Sequence, residues 1–361
     1  MSAEAGGPPT YERERSVPVP EVSPVPGVSP VPGVSPVPGV SPGAPRTGPT
    51  VADLGEFPVI DRAVAGRRQP PTTLVGPGHD AALVAAADGR VAVSTDMLVE
   101  GRHFRLDWST PHEVGRKAVA QNGADVAAMG ARPTAFLVGL GCPPDTPVGV
   151  LDGVSAGIGE AAEALGAGVV GGDLVQASQL IIAVTVLGDL GGNAPLLRSA
   201  ARPGDIVALA GSTGRSAAGL AVLTAGLAGH PDLVAAHKVP SPPYAAGPAA
   251  AAAGAHAATD ISDGLLADLG HIAAASGVAI DVARELLEPG PGLRSAAADL
   301  GADVWEWVLT GGEDHALAAC FPPDAPLPTG WRPVGTVRAG GGVTVDGHDR
   351  PGPGGWQSFS R

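Results

Sequence analysis

Ser94-Thr95-Asp96-Met97-Leu98-Val99-Glu100-Gly101-Arg102-His103-Phe104 follows Val91-Ala92-Val93, a β-branched run with the signature of a buried strand. A hydroxyl pair and a carboxylate placed at the end of that strand are hard oxygen ligands of the kind that suit Mg²⁺. The same residues could equally form a turn that satisfies its own backbone. What decides between these readings is whether the rest of the chain supplies more carboxylates in similar settings.

It does so repeatedly. Upstream, Gly76-Pro77-Gly78-His79-Asp80 feeds a short apolar run, and its glycines would let backbone N–H groups approach a ligand closely. Downstream, Thr110-Pro111-His112-Glu113 has capping-box spacing with proline at the first helical position. The helix it opens should run to about Met129 and stop at Gly130. On that helix Asp125 falls within about 40° of Val114, Ala118 and Met129, on the stripe that should face the core. A carboxylate there needs either a cationic partner, with Lys117 and Arg116 in reach, or a metal. Residues 134–141 read as a strand, 153–165 as a helix, and Val169-Val170 as a strand entering a glycine turn, Gly171-Gly172-Asp173. A further strand, 180–187, closes this half of the chain.

In the second half, Ile206–Ala210 reads as a strand whose loop Gly211-Ser212-Thr213-Gly214 leads into a helix over 216–227, a plausible anion site. Residues 244–258 read as an alanine-rich helix. Thr259-Asp260-Ile261-Ser262-Asp263-Gly264 precedes a helix that ends at Gly277, with Ser262 or Asp263 as its cap and Asp260 left unexplained by capping. Leu309-Thr310-Gly311-Gly312-Glu313-Asp314-His315 repeats the pattern of strand, glycine pair and acid.

Composition narrows the chemistry. The 361 residues are 44% hydrophobic and only 3% aromatic, so cores of Ala, Val and Leu are expected. A net charge of −14 argues against nucleic-acid or anionic-membrane surfaces, and an acidic protein that handles phosphates needs metal ions. Lys117 and Lys238 are the only lysines and neither lies in a G-x-x-x-x-G-K-[ST] loop, which excludes a P-loop kinase. Cys142 and Cys320 are single and widely spaced, as suits a reducing cytosol. Neither a leader nor an apolar run of membrane length is evident, and a soluble, cytoplasmic protein is expected. Residues 1 to about 50 carry three copies of Val-Ser-Pro-Val-Pro-Gly and read as an extended, disordered tail.

Seven stretches, 76–84, 94–104, 115–133, 171–173, 198–205, 260–269 and 311–314, resemble the thiamine-monophosphate kinase family in content and order. That family lies within the ATP-binding group related to aminoimidazole ribonucleotide synthetase. The resemblance covers about residues 51 to 358. It implies an α+β fold of two domains: an N-terminal mixed α/β domain, 51–193, whose sheet forms a barrel across a homodimer, and a C-terminal α/β sandwich, 194–361. It implies ATP as co-substrate and several Mg²⁺ ions held by Asp80, Ser94, Thr95, Asp96, Asp125, Asp173, Asp260 and Asp263, with Asp96, Asp125 and Asp263 central to transfer. Gly172, Asp173, Arg198 and Ser262 would contact the nucleotide, and His103, Glu313 and Trp356 would hold thiamine monophosphate. Trp356 could cover a cationic thiazolium ring or simply pack the C-terminus. His79, Ala124 and His315 depart from residues usual in the family, and two arginines common in relatives are missing around 238–243. The implied activity is phosphorylation of thiamine monophosphate to thiamine diphosphate. The alternatives are a sister ATP-dependent enzyme of the group and a non-catalytic nucleotide-binding regulator.

Overall fold

The structure is a computed structural model that describes residues 48–361 except 79, 80, 351, 353 and 357–361. The Pro-rich repeats and Asp80 therefore lie outside the described residues. Thr50 forms a capping box with Asp53 at the start of helix α1 (Val51–Leu54), and Val148 N–H donates to Pro49 O at 2.9 Å.

The first half continues with α2 (Glu56–Val64), the paired short strands β1 (Thr73–Val75) and β2 (Leu83–Val84), β3 (Ala92–Val99), α3 (Pro111–Ala128), β4 (Arg132–Cys142), α4 (Val148–Ala164), β5 (Gly168–Gln176) and β6 (Ile181–Asp189). Its main sheet has the order β3-β6-β4-β5, antiparallel except for the parallel β4–β5 pair. Side chains alternate across such a sheet. Leu98, Phe136, Val138, Ile182, Val184 and Val186 point inward against Val114, Ala118, Leu151 and Val154 of α3 and α4. The opposite face is open: Val93 is 63% and Met97 54% exposed, beside Leu137 and Val175.

The second half contains β7 (Ile206–Ala210), α5 (Arg215–Ala225), α6 (Pro231–Lys238), α7 (Ala246–Ala252), β8 (Ala257–Ile261), α8 (Leu265–Ser276), β9 (Val278–Val282), α9 (Pro291–Leu300), α10 (Val304–Thr310), β10 (Ala316–Phe321), β11 (Trp331–Ala339), β12 (Gly342–Val345) and β13 (His348–Asp349). Its seven strands run in the order β13-β12-β9-β11-β7-β10-β8. One face packs on α5, α8 and α9 through Val207, Leu209, Val222, Leu269 and Ile280. The other face, with Ala208, Ala210, Leu317 and Phe321, receives Ala246 and Ala250 of α7 and also Ala127 and Ala128 from the end of α3. Helix α3 thus belongs to both halves, which is why 13 of its 18 residues are buried.

Several local expectations are corrected. Ser94, Thr95 and Asp96 lie inside β3, not after it, because β3 is an edge strand that tolerates polar residues. Gly171–Asp173 is likewise continuous strand within β5, the other edge. Residues 257–258 begin β8 instead of ending the alanine-rich helix. Leu309-Thr310 closes helix α10, and the strand comes after the glycine pair, not before it. Neither Ser262 nor Asp263 caps α8: Gly264 stands at that position, and Asp268 accepts its N–H and that of Asp263 at 3.0 Å each. By contrast α3 begins at Thr110 with both capping-box bonds and is followed by Gly130 at φ +79°, as its sequence requires. No described helix is long and apolar enough to cross a membrane.

The backbones of α3 and α4 approach so closely that a Cβ added at Gly157 would lie 2.0 Å from His112 O. Gly157→Ala should therefore cost about 1–3 kcal/mol and lower the melting temperature by several degrees. Gly149→Ala, on the same helix with open space around it, should leave the temperature unchanged or slightly raised. Equal melting temperatures for the two variants would contradict this account of the α3–α4 contact.

Candidate active site

Strand alternation sorts the 94–96 triplet. Ser94 and Asp96 share the inner face of β3 with the fully buried Leu98. On the unpaired edge of that strand, Asp96 N–H donates to Asn122 Oδ1 of α3 at 3.0 Å, and Asn122 Nδ2 donates to Ala118 O at 2.9 Å. One turn further along α3, Asp125 accepts Ser94 Oγ–H at 2.6 Å. The partner of Asp125 is thus a hydroxyl rather than Lys117 or Arg116. Thr95 faces the other way: its hydroxyl donates to Val184 O at 3.0 Å and accepts from Thr185 at 3.1 Å. Its side chain therefore does not join the other two.

The second half contributes Asp260, 3% exposed at the edge strand β8, and Asp263 in the turn before α8. Asp260 acts electrostatically on Asp96, Asp125 and Asp263, and Asp263 acts on Asp96. Burial pushes the Asp125 carboxyl up to about 7, with the charges of Asp260 and Asp96 adding to the effect and the Ser94 bond opposing it. Asp96 is raised first by burial and then by Asp260 and Asp263, against His315 and His103. Asp263 is raised by burial and Asp260, with His271 and Arg198 opposing. Arg198 is tied to the same place through Thr259 Oγ1 at 3.2 Å.

Among the described residues Asp263, Asp268 and His271 bring their ligand atoms within 4.8 Å of one another, and carboxylates within electrostatic reach of one another offer oxygen donors of the kind a hard divalent cation such as Mg²⁺ takes. The buried His315 beside them forms an ion pair with Asp260 at 3.2 Å and leaves its Nε2 without a partner. Burial lowers the His315 pKa, but the Asp260 bond and the surrounding carboxylates outweigh it and the net shift is upward.

A second group gathers around Lys117 of α3. His103, in the turn after β3, accepts Val99 N–H on Nδ1 at 3.0 Å, which leaves Nε2 to carry the proton of the neutral ring. Its carbonyl accepts Lys117 Nζ at 2.9 Å, and the same ammonium reaches Glu313 Oε1 at 3.1 Å. His237 of α6 lies 3.6 Å from the other Glu313 oxygen and 3.1 Å from Ser216 Oγ. Burial would raise Glu313, but the charges of Lys117 and His237 hold it below the usual carboxylate range. Glu313 N–H also donates to Ser262 O at 2.7 Å, so the Ser262 segment and the Glu313 loop are one unit. Trp356 N–H donates to Asp263 O at 2.9 Å while the residue is 67% exposed, so it is no core-packing residue.

Two expected residues stand apart. Asp173 faces the open side of β5, paired with Gly139 three strands across the sheet from β3, and accepts only its neighbour Leu174 N–H at 2.9 Å among the bonds of the described residues. Gly172 takes the inner face, where a Cβ would come 2.1 Å from Val138 O. The Gly211–Gly214 loop is no open anion site: Asp314 already accepts Gly214 N–H and, at 2.8 Å, Ser216 N–H. Lys117, His237, Asp268 and Asp314 lie among these groups, and sequence reasoning gave none of them a place there. Lys117 alone carried a signal, as one of two lysines in the chain.

Residues 78–190 match the family described as AIR synthase related protein, N-terminal domain, and residues 202–325 match AIR synthase related protein, C-terminal domain. Over 313 residues the chain is 57% identical to a thiamine-monophosphate kinase of Mycobacterium tuberculosis, a match covering 86% of this chain and 93% of that protein. A thiamine-monophosphate kinase of Corynebacterium glutamicum is 46% identical over 325 residues, covering 87% and 96% of the two chains. Among solved structures, AaThiL complexed with AMPPCP and TMP superposes with a TM-score of 0.71 at 32% identity, covering 76% of this chain and 89% of that one. With both halves matched and a relative this similar along nearly its full length, the chain belongs to the thiamine-monophosphate kinase family of enzymes.

Proposed function

We propose that the enzyme transfers the γ-phosphoryl group of ATP directly to the phosphate of thiamine monophosphate, giving ADP and thiamine diphosphate. The observation that carries this reading is the convergence of Asp96 and Asp125 with Asp260 and Asp263, four mutually repelling carboxylates drawn from both halves of the chain. The relative solved with AMPPCP and TMP supports the choice of substrates.

Transfer between two polyanions is mostly a matter of position and charge. Mg²⁺ ions held by Asp96, Asp125, Asp260 and Asp263 would neutralise the phosphates, with Ser94 and Asp80 as further ligands, whereas the Thr95 side chain and Asp173 face away from this group within one chain. The chain's own residues would do the rest. Arg198 and Ser262 contact the nucleotide. His103 and Glu313 orient thiamine monophosphate, and the exposed Trp356 ring covers the thiazolium. The acceptor is a phosphate oxygen already ionised near neutrality. It attacks in line, the bond to the ADP oxygen breaks, and neither a strong base nor a covalent enzyme intermediate is needed.

The division into an N-terminal domain, 51–193, and a C-terminal domain, 194–361, belongs to the same proposal. So does a homodimer in which the open face bearing Val93, Met97, Leu137 and Val175 is covered by a second copy as a barrel. Asp173 lies on that face, which supports a role shared with a second subunit.

Purified protein given Mg-ATP and thiamine monophosphate should form thiamine diphosphate, and EDTA should stop it. Asp96→Asn and Asp125→Asn should each lower kcat by roughly 100-fold or more with circular dichroism unchanged. Near-normal turnover in either variant would remove the carboxylates from the chemistry.

Acidity gives an independent check. In the fold Asp125 titrates near 7, against 3.8 for the free carboxyl. Its contribution to metal-free stability is therefore complete below about pH 4 and is lost as pH rises towards 7. A cation that needs the ionised form binds more tightly over the same window. Mg²⁺ should raise the melting temperature more at about pH 8 than at about pH 5. An equal or smaller rise at the higher pH would contradict the assignment of Asp125 to the metal.

A further inference from the structure

We infer that Lys117 is the positioning residue that holds Glu313 for the thiamine-phosphate substrate, an inference that rests on the activity proposed above. Lys117 Nζ is anchored on His103 O at 2.9 Å, in the first half of the chain, and reaches Glu313 Oε1 at 3.1 Å, in the second. Its side chain is 2% exposed and Glu313's 28%, so the ammonium is sealed while the carboxylate keeps some access to solvent.

Three further observations support a built arrangement. Glu313 has φ +62°, a backbone region costly for a non-glycine residue, and its neighbour Gly312 has room for no Cβ because Ser262 O would lie 2.6 Å away. The other Glu313 oxygen faces His237, which is braced in turn by Ser216. The choice of cation is itself informative. Of 22 basic residues only Lys117 and Lys238 are lysine, and both lie on this seam, Lys238 reaching Glu113 of α3 at 3.7 Å. An ammonium is a compact charge with three donors that can divide between a carbonyl and a carboxylate, whereas a planar guanidinium fork suits paired oxygens. A chain that uses arginine nearly everywhere else keeps lysine where that geometry is required.

With its ammonium engaged by His103 O and Glu313 Oε1, Lys117 acts through Glu313. The test is steady-state kinetics with each substrate varied in turn, on wild type, Lys117→Met, Glu313→Gln and the double variant. Lys117→Met should raise KM for thiamine monophosphate roughly tenfold or more and leave KM for ATP within about twofold. A loss of stability alone would move neither KM selectively. Should Lys117→Met not fold, because Glu313 is left without its counter-charge, the double variant removes both charges. Adding Lys117→Met to Glu313→Gln should then change KM for thiamine monophosphate by no more than about twofold, since the group it holds is already altered. Equal shifts in both KM values, no shift, or a full further tenfold rise in the double variant would overturn the inference. Wild type that makes no thiamine diphosphate would overturn the proposed activity and this inference with it. Active wild type with an unaltered Lys117→Met would overturn this inference alone.

Discussion

Like-charged carboxylates brought out of water into one cleft repel each other and resist ionisation, and the architecture of this enzyme is arranged around that cost. Asp125 and Asp96 arrive from an inward helix face and an inward strand face; Asp260 and Asp263 arrive from the edge of a second sheet. Asp96, Asp125 and Asp263 are each raised in pKa, first by burial and then by neighbouring carboxylates. Such a cluster is tolerable only with compensating positive charge. In the free protein the buried His315 supplies part of it. In the working enzyme metal ions would supply the rest.

Helix α3 is the element that makes the convergence possible. Its first turns pack in the core of the first sheet, while Ala127 and Ala128 lie under the second. Along the same helix Lys117, Asn122 and Asp125 engage in turn the carboxylate of Glu313, the backbone of Asp96 and the hydroxyl of Ser94. The glycines Gly115 and Gly157 let α4 press against it, with Val154 O only 2.1 Å from where a Cβ on Gly115 would be. Rigid burial of one helix in two cores is how carboxylates from separate halves of the chain can be held in fixed relation.

Much of this was legible without coordinates, for identifiable reasons. The ends of α3 are written in local chemistry, a capping box and a glycine, and the helical period alone turns Asp125 inward. What misled was local composition. Polar residues in 94–96 and glycines in 171–173 look like turns, yet edge strands accommodate both. The two faces of β3 could be separated only once the strand was known to run through the triplet, and this is what removes the Thr95 side chain from the group around Asp96 and Asp125. The Gly211–Gly214 loop read as an anion site and is one, but its anion is the protein's own Asp314. The ion pair of Lys117 with Glu313 joins positions too far apart in sequence for any local pattern to announce.

The central claim is that carboxylates of both halves hold one shared group of metal ions. Its most direct test is crystallography of the protein with Mn²⁺ and a non-hydrolysable ATP analogue, reading manganese positions from anomalous scattering. The account predicts metal peaks ligated by Asp96 or Asp125 and by Asp260 or Asp263 around the same phosphates. Manganese bound by one half only, or nucleotide bound without manganese at these carboxylates, would contradict it.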